Sequence, residues 1–256
     1  MKDDLEIGIS NDIFKVSFDD NVAIAEFGDD LFHVISDLDQ NGKILDAFNK
    51  IEQMKNIDAL IVLNSENSWN EEFYKSFLSH ISGMNLDSKD VKIDKFAEHL
   101  SRSREIIFLQ RIIMTLLNST KITLAAVKGQ VVTPAFGAML AFDFRYMGEN
   151  AEFSLAHKKF GLHPSGGLPI FLQKYLGLGR SVEILMHDDI LSAQRAKELG
   201  LVTKVVPEDK LLEETVDVAK EIAANIRHSI RTTKMLSFNF TDELKHYFAI
   251  ESRLIM

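Results

Sequence analysis

The chain contains no cysteine. Disulfides, thiolate metal sites and a cysteine nucleophile are therefore excluded. No apolar run approaches the ~18 residues of a membrane span. The first residues, Met1-Lys2-Asp3-Asp4-Leu5-Glu6, are acidic and lack the apolar stretch of a secretory signal. Positive charge is scarce: 29 Lys and Arg against 38 Asp and Glu leave a formal net charge of -9. Such a surface repels the phosphates of a nucleic-acid partner. The eight histidines are scattered, and no pair has metal-ligand spacing on a predicted helix, so no metal site is expected. There is no internal repeat, low-complexity tract or obvious linker. These absences point to a soluble, cytoplasmic protein with no membrane or nucleic-acid partner.

What is present fits one large domain with a helical appendage: 256 residues, 46% apolar and 26% charged. Two alternating runs, Ile13 to Phe18 and Val22 to Phe27, flank Asp19-Asp20-Asn21 and predict an N-terminal β-hairpin. Helical spacing of Leu38, Ile44, Leu45, Phe48 and Ile51 predicts a helix from Asp37 to Lys55. Ala59-Leu60-Ile61-Val62-Leu63 reads as a strand covered on both faces. A polar loop from Asn64 to Tyr74 follows, with the only tryptophan, then a charged excursion from Asn85 to Lys95. Ile106, Leu109, Ile113, Leu116 and Leu117 mark an amphipathic helix from Phe96 to Leu117. Ile122 to Val127 is a second buried strand, and it runs into the turn Lys128 to Gly137.

Behind that turn, Ala135 to Phe142 reads as a short buried helix, and Asp143 to Met147 and Ala151 to Leu155 as strands. Leu168 to Leu176 and a segment around Ser181 to Met186 are helical. Ser192 is a natural N-cap for Ala193 to Leu199, and Gly200 a natural stop. Leu201 to Val206 reads as a strand, and Pro207 opens a helix to Ile226. Residues 227–256 are helical in composition. The expected organisation is a core over residues 1–200, then the last core strand and a C-terminal helical region over 201–256. The alternation of strand and helix makes the fold class α/β.

The order of these pieces resembles the crotonase (enoyl-CoA hydratase/isomerase) superfamily, as a divergent member. The resemblance is carried by Lys121 to Gly129, Asp143 with Arg145, and Glu149-Asn150-Ala151-Glu152-Phe153. It continues through Phe160-Gly161, Pro164-Ser165-Gly166-Gly167, Leu176-Gly177, Ile190 to Ala196, Leu199 to Val202 and Val205-Val206-Pro207. It implies a crotonase-like spiral of ββα units with a C-terminal helical region for trimer contacts. It further implies a homotrimer or dimer of trimers, an acyl-CoA or other small carbonyl substrate, and no cofactor beyond the CoA that the substrate carries.

By resemblance, two backbone N–H groups hold a thioester oxygen as an enolate forms, at positions matching Phe73 and Pro134. Proline has no N–H; a slip of one residue would put Ala135 there instead. The hydratases' two glutamates match Gly137 and His157, so the paired carboxylates of a standard hydratase are absent. His157 is a candidate general base, as in the family's β-diketone hydrolases, or a solvent-facing histidine beside Lys158 and Lys159. His163 is a second candidate, or a loop histidine bonded to backbone. Trp69 and Phe73 either wall an acyl pocket or belong to the core. Glu71 and Glu72 either supply a carboxylate from a new direction or form a solvated acidic loop. Three functions stay open: an acyl-CoA isomerase, hydrolase or decarboxylase-like enzyme using His157; a CoA-independent β-diketone hydrolase; and a non-catalytic chain that keeps the fold for partner binding.

Overall fold

The computed structural model describes residues 8–86, 93, 96–97, 99–226 and 229–255. The expected hairpin forms from β1 (Phe14–Asp19) and β2 (Val22–Phe27), in register from Phe14 opposite Phe27 to Asp19 opposite Val22. Helix α1 (Leu31–Ser36) was not anticipated; it is too short for periodicity to register. Helix α2 (Leu38–Gln53) starts where Asp37 accepts the N–H groups of Asp39 and Gln40 at 3.0 Å each. Strand β3 (Ala59–Asn64) is buried along its length.

The expected loop to Tyr74 ends early, because Asn70 caps a helix, α3 (Glu71–Ser82). The Asn85 to Lys95 excursion lies outside the described residues except at 85, 86 and 93. Helix α4 (His99–Asn118) is the predicted amphipathic helix, and β4 (Ile122–Val127) the predicted buried strand.

Part of the expected turn is a strand, β5 (Gln130–Val132), followed by α5 (Ala135–Met139), β6 (Phe144–Gly148) and β7 (Glu152–Ser154). A 3-10 turn, Ala156–Phe160, leads to α6 (Leu168–Leu176) and α7 (Leu178–His187). Then come β8 (Ile190–Ser192), α8 (Ala193–Glu198) capped by Ser192, β9 (Lys204–Val206) and α9 (Leu211–Ile226). Helices α10 (Ile230–Ser237) and α11 (Thr241–Ile255) form the C-terminal helical region.

Six strands form the main sheet in the order β1-β2-β3-β4-β6-β9, and a smaller sheet has the order β5-β7-β8. Only the β1–β2 pair of the main sheet is antiparallel. Parallel strands need crossovers, and the helices that provide them cover both faces. One face packs against α2, α4 and the site elements; the other, with Ile24, Ile61 and Leu124, is covered by α9. Among the described residues no helix is long and apolar enough to cross a membrane.

The C-terminal region is fastened to the core by a buried lysine. Lys234 of α10 donates to the carbonyls of Leu116 and Lys121 at 3.1 Å each and to Asp143 Oδ2 at 2.9 Å. All three ammonium protons are used, and Asp143 Oδ2 also accepts from Thr123 N and Oγ1. Breaking one side of a buried pair costs about 3–5 kcal/mol. Lys234→Ala is therefore expected to lose about that much unfolding free energy in urea, and a loss under about 1 kcal/mol contradicts the assignment.

Candidate active site

The exits of β3 and β4 are stapled side by side. Asn64 Nδ2 donates to Lys128 O at 2.8 Å, and Lys128 N donates back to Asn64 Oδ1 at 3.2 Å. Gly129 takes φ 57 with its Cα against Glu66 backbone, where a Cβ would overlap the Glu66 carbonyl. Downstream, Gln130 Oε1 accepts from Glu71 N at 2.8 Å, and Val132 N donates to Trp69 O at 2.9 Å. Thr133 N donates to Ser154 O at 3.0 Å and precedes a cis bond to Pro134. The loop after β3 and the turn before α5 therefore run together across the carboxyl ends of β3 and β4.

His157 lies on the 3-10 turn, 2% exposed, with Nδ1 3.3 Å from Thr133 Oγ1. The solvent-facing alternative is thus corrected: this histidine is inside. Burial first, then the charges of Lys158 and His163, push its pKa down to about 4. At neutral pH it is an uncharged imidazole. His163 is half-buried on the segment that follows.

Gly137, matched by resemblance to the first of the hydratases' two glutamates, sits on α5 against the turn Ser165-Gly166-Gly167. A Cβ there would land on the Gly166 carbonyl oxygen and close to Leu168 N. A Cβ on Gly166 would in turn meet the Pro134 carbonyl. Backbone fills the volume in which an acid would project.

The Phe73 donor expectation is also corrected. Its N–H lies in the first turn of α3 and donates to the capping oxygen of Asn70 at 2.9 Å. Among the described residues, the amides of Trp69 and Ala135 donate to no acceptor. Trp69 is buried edge-on against Phe32, with centroids 5.2 Å apart. Glu71 pairs with Lys159 at 2.7 Å, so it bridges α3 to the 3-10 turn, while Glu72 is exposed. No group of three potential metal-ligating side chains converges among the described residues.

Sequence reasoning missed two buried charge sets beside this region. Arg102 and Glu105 of α4 pair inside the protein beneath Tyr74, and burial lifts the Glu105 carboxyl above its usual range. Burial also pushes the Tyr74 hydroxyl up to about 12. Glu251 of α11 is 3% exposed and receives the Gly167 N–H at 3.1 Å. The available signal was phase: Leu244, Phe248 and Glu251 share one helix face, as do Arg102, Glu105 and Leu109.

Residues 91–256 match the family described as enoyl-CoA hydratase/isomerase. The chain belongs to that family, the crotonase superfamily, and has its fold. It is 31% identical over 127 residues to enoyl-CoA hydratase EchA19 of Mycobacterium tuberculosis, covering 47% of this chain and 48% of that protein. It is 32% identical over 133 residues to a putative enoyl-CoA hydratase of Thermus thermophilus, covering 52% of each. The chain thus spans about half the length of these curated relatives. The crystal structure of enoyl-CoA hydratase from Bacillus halodurans superposes with a TM-score of 0.78 at 18% identity, covering 94% of this chain and 93% of that one. A monofunctional enoyl CoA isomerase from M. smegmatis gives 0.66 at 21% identity, covering 90% and 94%.

The buried neutral histidine has a consequence for stability. Its folded pKa, about 4, lies below the ordinary 6.5. Between those values the unfolded chain binds a proton that the folded chain refuses, so stability falls as pH drops from 6.5 towards 4. From pH 7 to pH 4.5 the wild type is expected to lose about 2 kcal/mol more than His157→Gln in urea unfolding. Equal losses would contradict the buried neutral state.

Proposed function

We propose that the chain is an acyl-CoA enzyme that moves a proton through a thioester enolate with one base, His157, and so isomerises rather than hydrates. The observation that carries this reading is the packing at Gly137. Hydration needs two ionisable groups to hold, deprotonate and deliver a water. Here one position has no side chain, and the backbone of Gly166 stands where a carboxylate would project. Isomerisation needs one group that takes a proton from one carbon and gives one to another.

In balanced form, a 3-enoyl thioester loses a C2 proton to the imidazole nitrogen that Thr133 does not engage. The electron pair delocalises onto the thioester oxygen, and the imidazolium then donates a proton at C4 to give the 2-enoyl thioester. A neutral imidazole has the lone pair that the first transfer requires. The imidazolium it becomes is compensated by the enolate charge forming beside it. The enolate oxygen requires amide donors. Pro134 has no N–H and Phe73's is engaged with Asn70. The amides of Trp69 and Ala135 are unengaged, and the Val132–Trp69 bond holds the loop after β3 against the strand that leads to Ala135, which supports these two as the pair.

The names of the relatives support a CoA thioester as substrate, with CoA arriving as part of it and no separate cofactor. We place the enzyme in the cytoplasm as a homotrimer or dimer of trimers. Assembly is supported by an exposed apolar stripe, Leu178, Val182 and Met186 of α7 with Ile190 of β8, which a second copy would cover.

The test is turnover of a 3-enoyl-CoA panel with product analysis. The expected result is double-bond migration without 3-hydroxyacyl-CoA, with kcat/KM falling about 10²-fold or more in His157→Ala. No thermal stabilisation by millimolar CoA thioesters would count against the reading. Turnover of a cyclic β-diketone that His157→Ala abolishes would replace it with the C–C hydrolase. The burial of His157 also favours a second reading, a chain that keeps the scaffold without turnover. Thioester binding with no reaction and a silent His157→Ala would establish that instead.

A further inference from the structure

Glu251 has no counterpart in the site as described, yet it is one of the most buried carboxylates among the described residues. It projects from α11 into the core rather than to solvent. Its Oε1 accepts the Gly167 N–H at 3.1 Å and the Tyr247 hydroxyl at 3.3 Å, and its Oε2 accepts from Gln110 Nε2 at 3.3 Å. Gly167 is the last residue of the turn that fills the acid position: Gly166 lies backbone to backbone against Gly137 and Pro134, and Gly167 itself faces Phe171 and Phe248. Gly166 and Gly167 take φ 69 and 73. Two successive left-handed residues give the turn little conformational preference of its own, so it needs an external tether.

We infer that Glu251 is a positioning residue of the site: its carboxylate tethers the Ser165–Gly167 turn through the Gly167 amide, making the C-terminal helix the back support of the turn that packs on Gly137. This takes the acyl site as read above and adds the part that keeps it in shape. The electrostatics agree with such a place. Burial lifts the Glu251 carboxyl above its usual range, against the opposing effects of the Gly167, Gln110 and Tyr247 hydrogen bonds and of the His163 charge. Glu105 of α4 is its like-charged neighbour. A buried carboxylate facing another is costly, and an apolar residue in phase with Leu244 and Phe248 would fill the same space at less cost. What the apolar residue could not do is hold the Gly167 amide.

The distinguishing property is position rather than charge. Glu251→Gln keeps an acceptor oxygen at the same reach, with Gln110 free to flip its amide. Glu251→Asp keeps the charge and retracts it by one methylene. Glu251→Ala removes both. Amide hydrogen exchange by NMR reads the tether directly and needs no substrate, so its outcome is separate from that of the acyl-CoA assays. Loss of a hydrogen bond to a charged group corresponds to about ten- to hundredfold faster exchange at Gly167.

That rise is expected in Glu251→Asp and Glu251→Ala, confined to the turn, while Glu251→Gln stays within about threefold of wild type. Amides of α11 such as Leu244 and Phe248 should keep wild-type exchange in all three. If the alanine variant does not fold, the aspartate and glutamine variants alone decide the matter. Unchanged exchange at Gly167 in Glu251→Asp would overturn the inference. So would a rise shared equally by the α11 amides, which would mark a role in helix packing only.

Discussion

The site depends on one close approach, the backbone of Ser165–Gly167 against the start of α5. Gly137 and Gly166 lack side chains where the two segments meet, and a Cβ on either would overlap a carbonyl of the other segment. Overlap of that kind forces the backbone to move. The contact therefore selects glycine at both positions and leaves no room for a side chain at 137, the position matched by resemblance to the first glutamate. The remaining chemistry follows. His157 is buried beside Thr133 and burial keeps it neutral, and under the proposed function this imidazole is the base that moves a proton between carbons.

Around this backbone contact the chain also buries charge. Lys234 with Asp143, Arg102 with Glu105, and Glu251 with the Gly167 amide all lie inside. Buried ion pairs seldom add net stability, because desolvation offsets most of the attraction. What distinguishes them is placement. Lys234 and Glu251 join the C-terminal helices α10 and α11 to Asp143 before β6 and to the Gly167 turn, whereas Arg102 and Glu105 pair within α4 beneath Tyr74. The Lys234 and Glu251 contacts fix where those C-terminal helices sit, which an apolar interface of equal area would leave freer to slide.

Much of this was legible in the sequence, for physical reasons that differ by element. The hairpin, β3, β4, α6 and the Ser192 cap were readable because each is decided by local pattern: alternation, an unbroken apolar run, or a capping hydroxyl. The resemblance carried the fold and pointed to Gly137 and His157 as the altered positions. Helix α3 was lost to the polarity of Asn64 to Tyr74, although Asn70-Glu71-Glu72 is a cap followed by an acidic first turn. That error carried over to Phe73, whose amide belongs to the cap. Strands β5 and β8 have three residues each, too few for any period. The burial of His157 and Glu251 was not legible because it is set by segments far apart in the chain. Their neighbours Lys158, Lys159 and Ser252 are polar and suggest a surface.

The proposed isomerisation is proton movement by one enclosed base, with no water added to the acyl chain. It is tested most directly by incubating the protein with a 2-enoyl or 3-enoyl-CoA in D2O and following the acyl chain by NMR and mass spectrometry. The predicted result is deuterium incorporation at C2 or C4 with no 3-hydroxyacyl-CoA, and its disappearance in His157→Gln. Formation of the 3-hydroxy product, or deuterium incorporation that persists without His157, would contradict it.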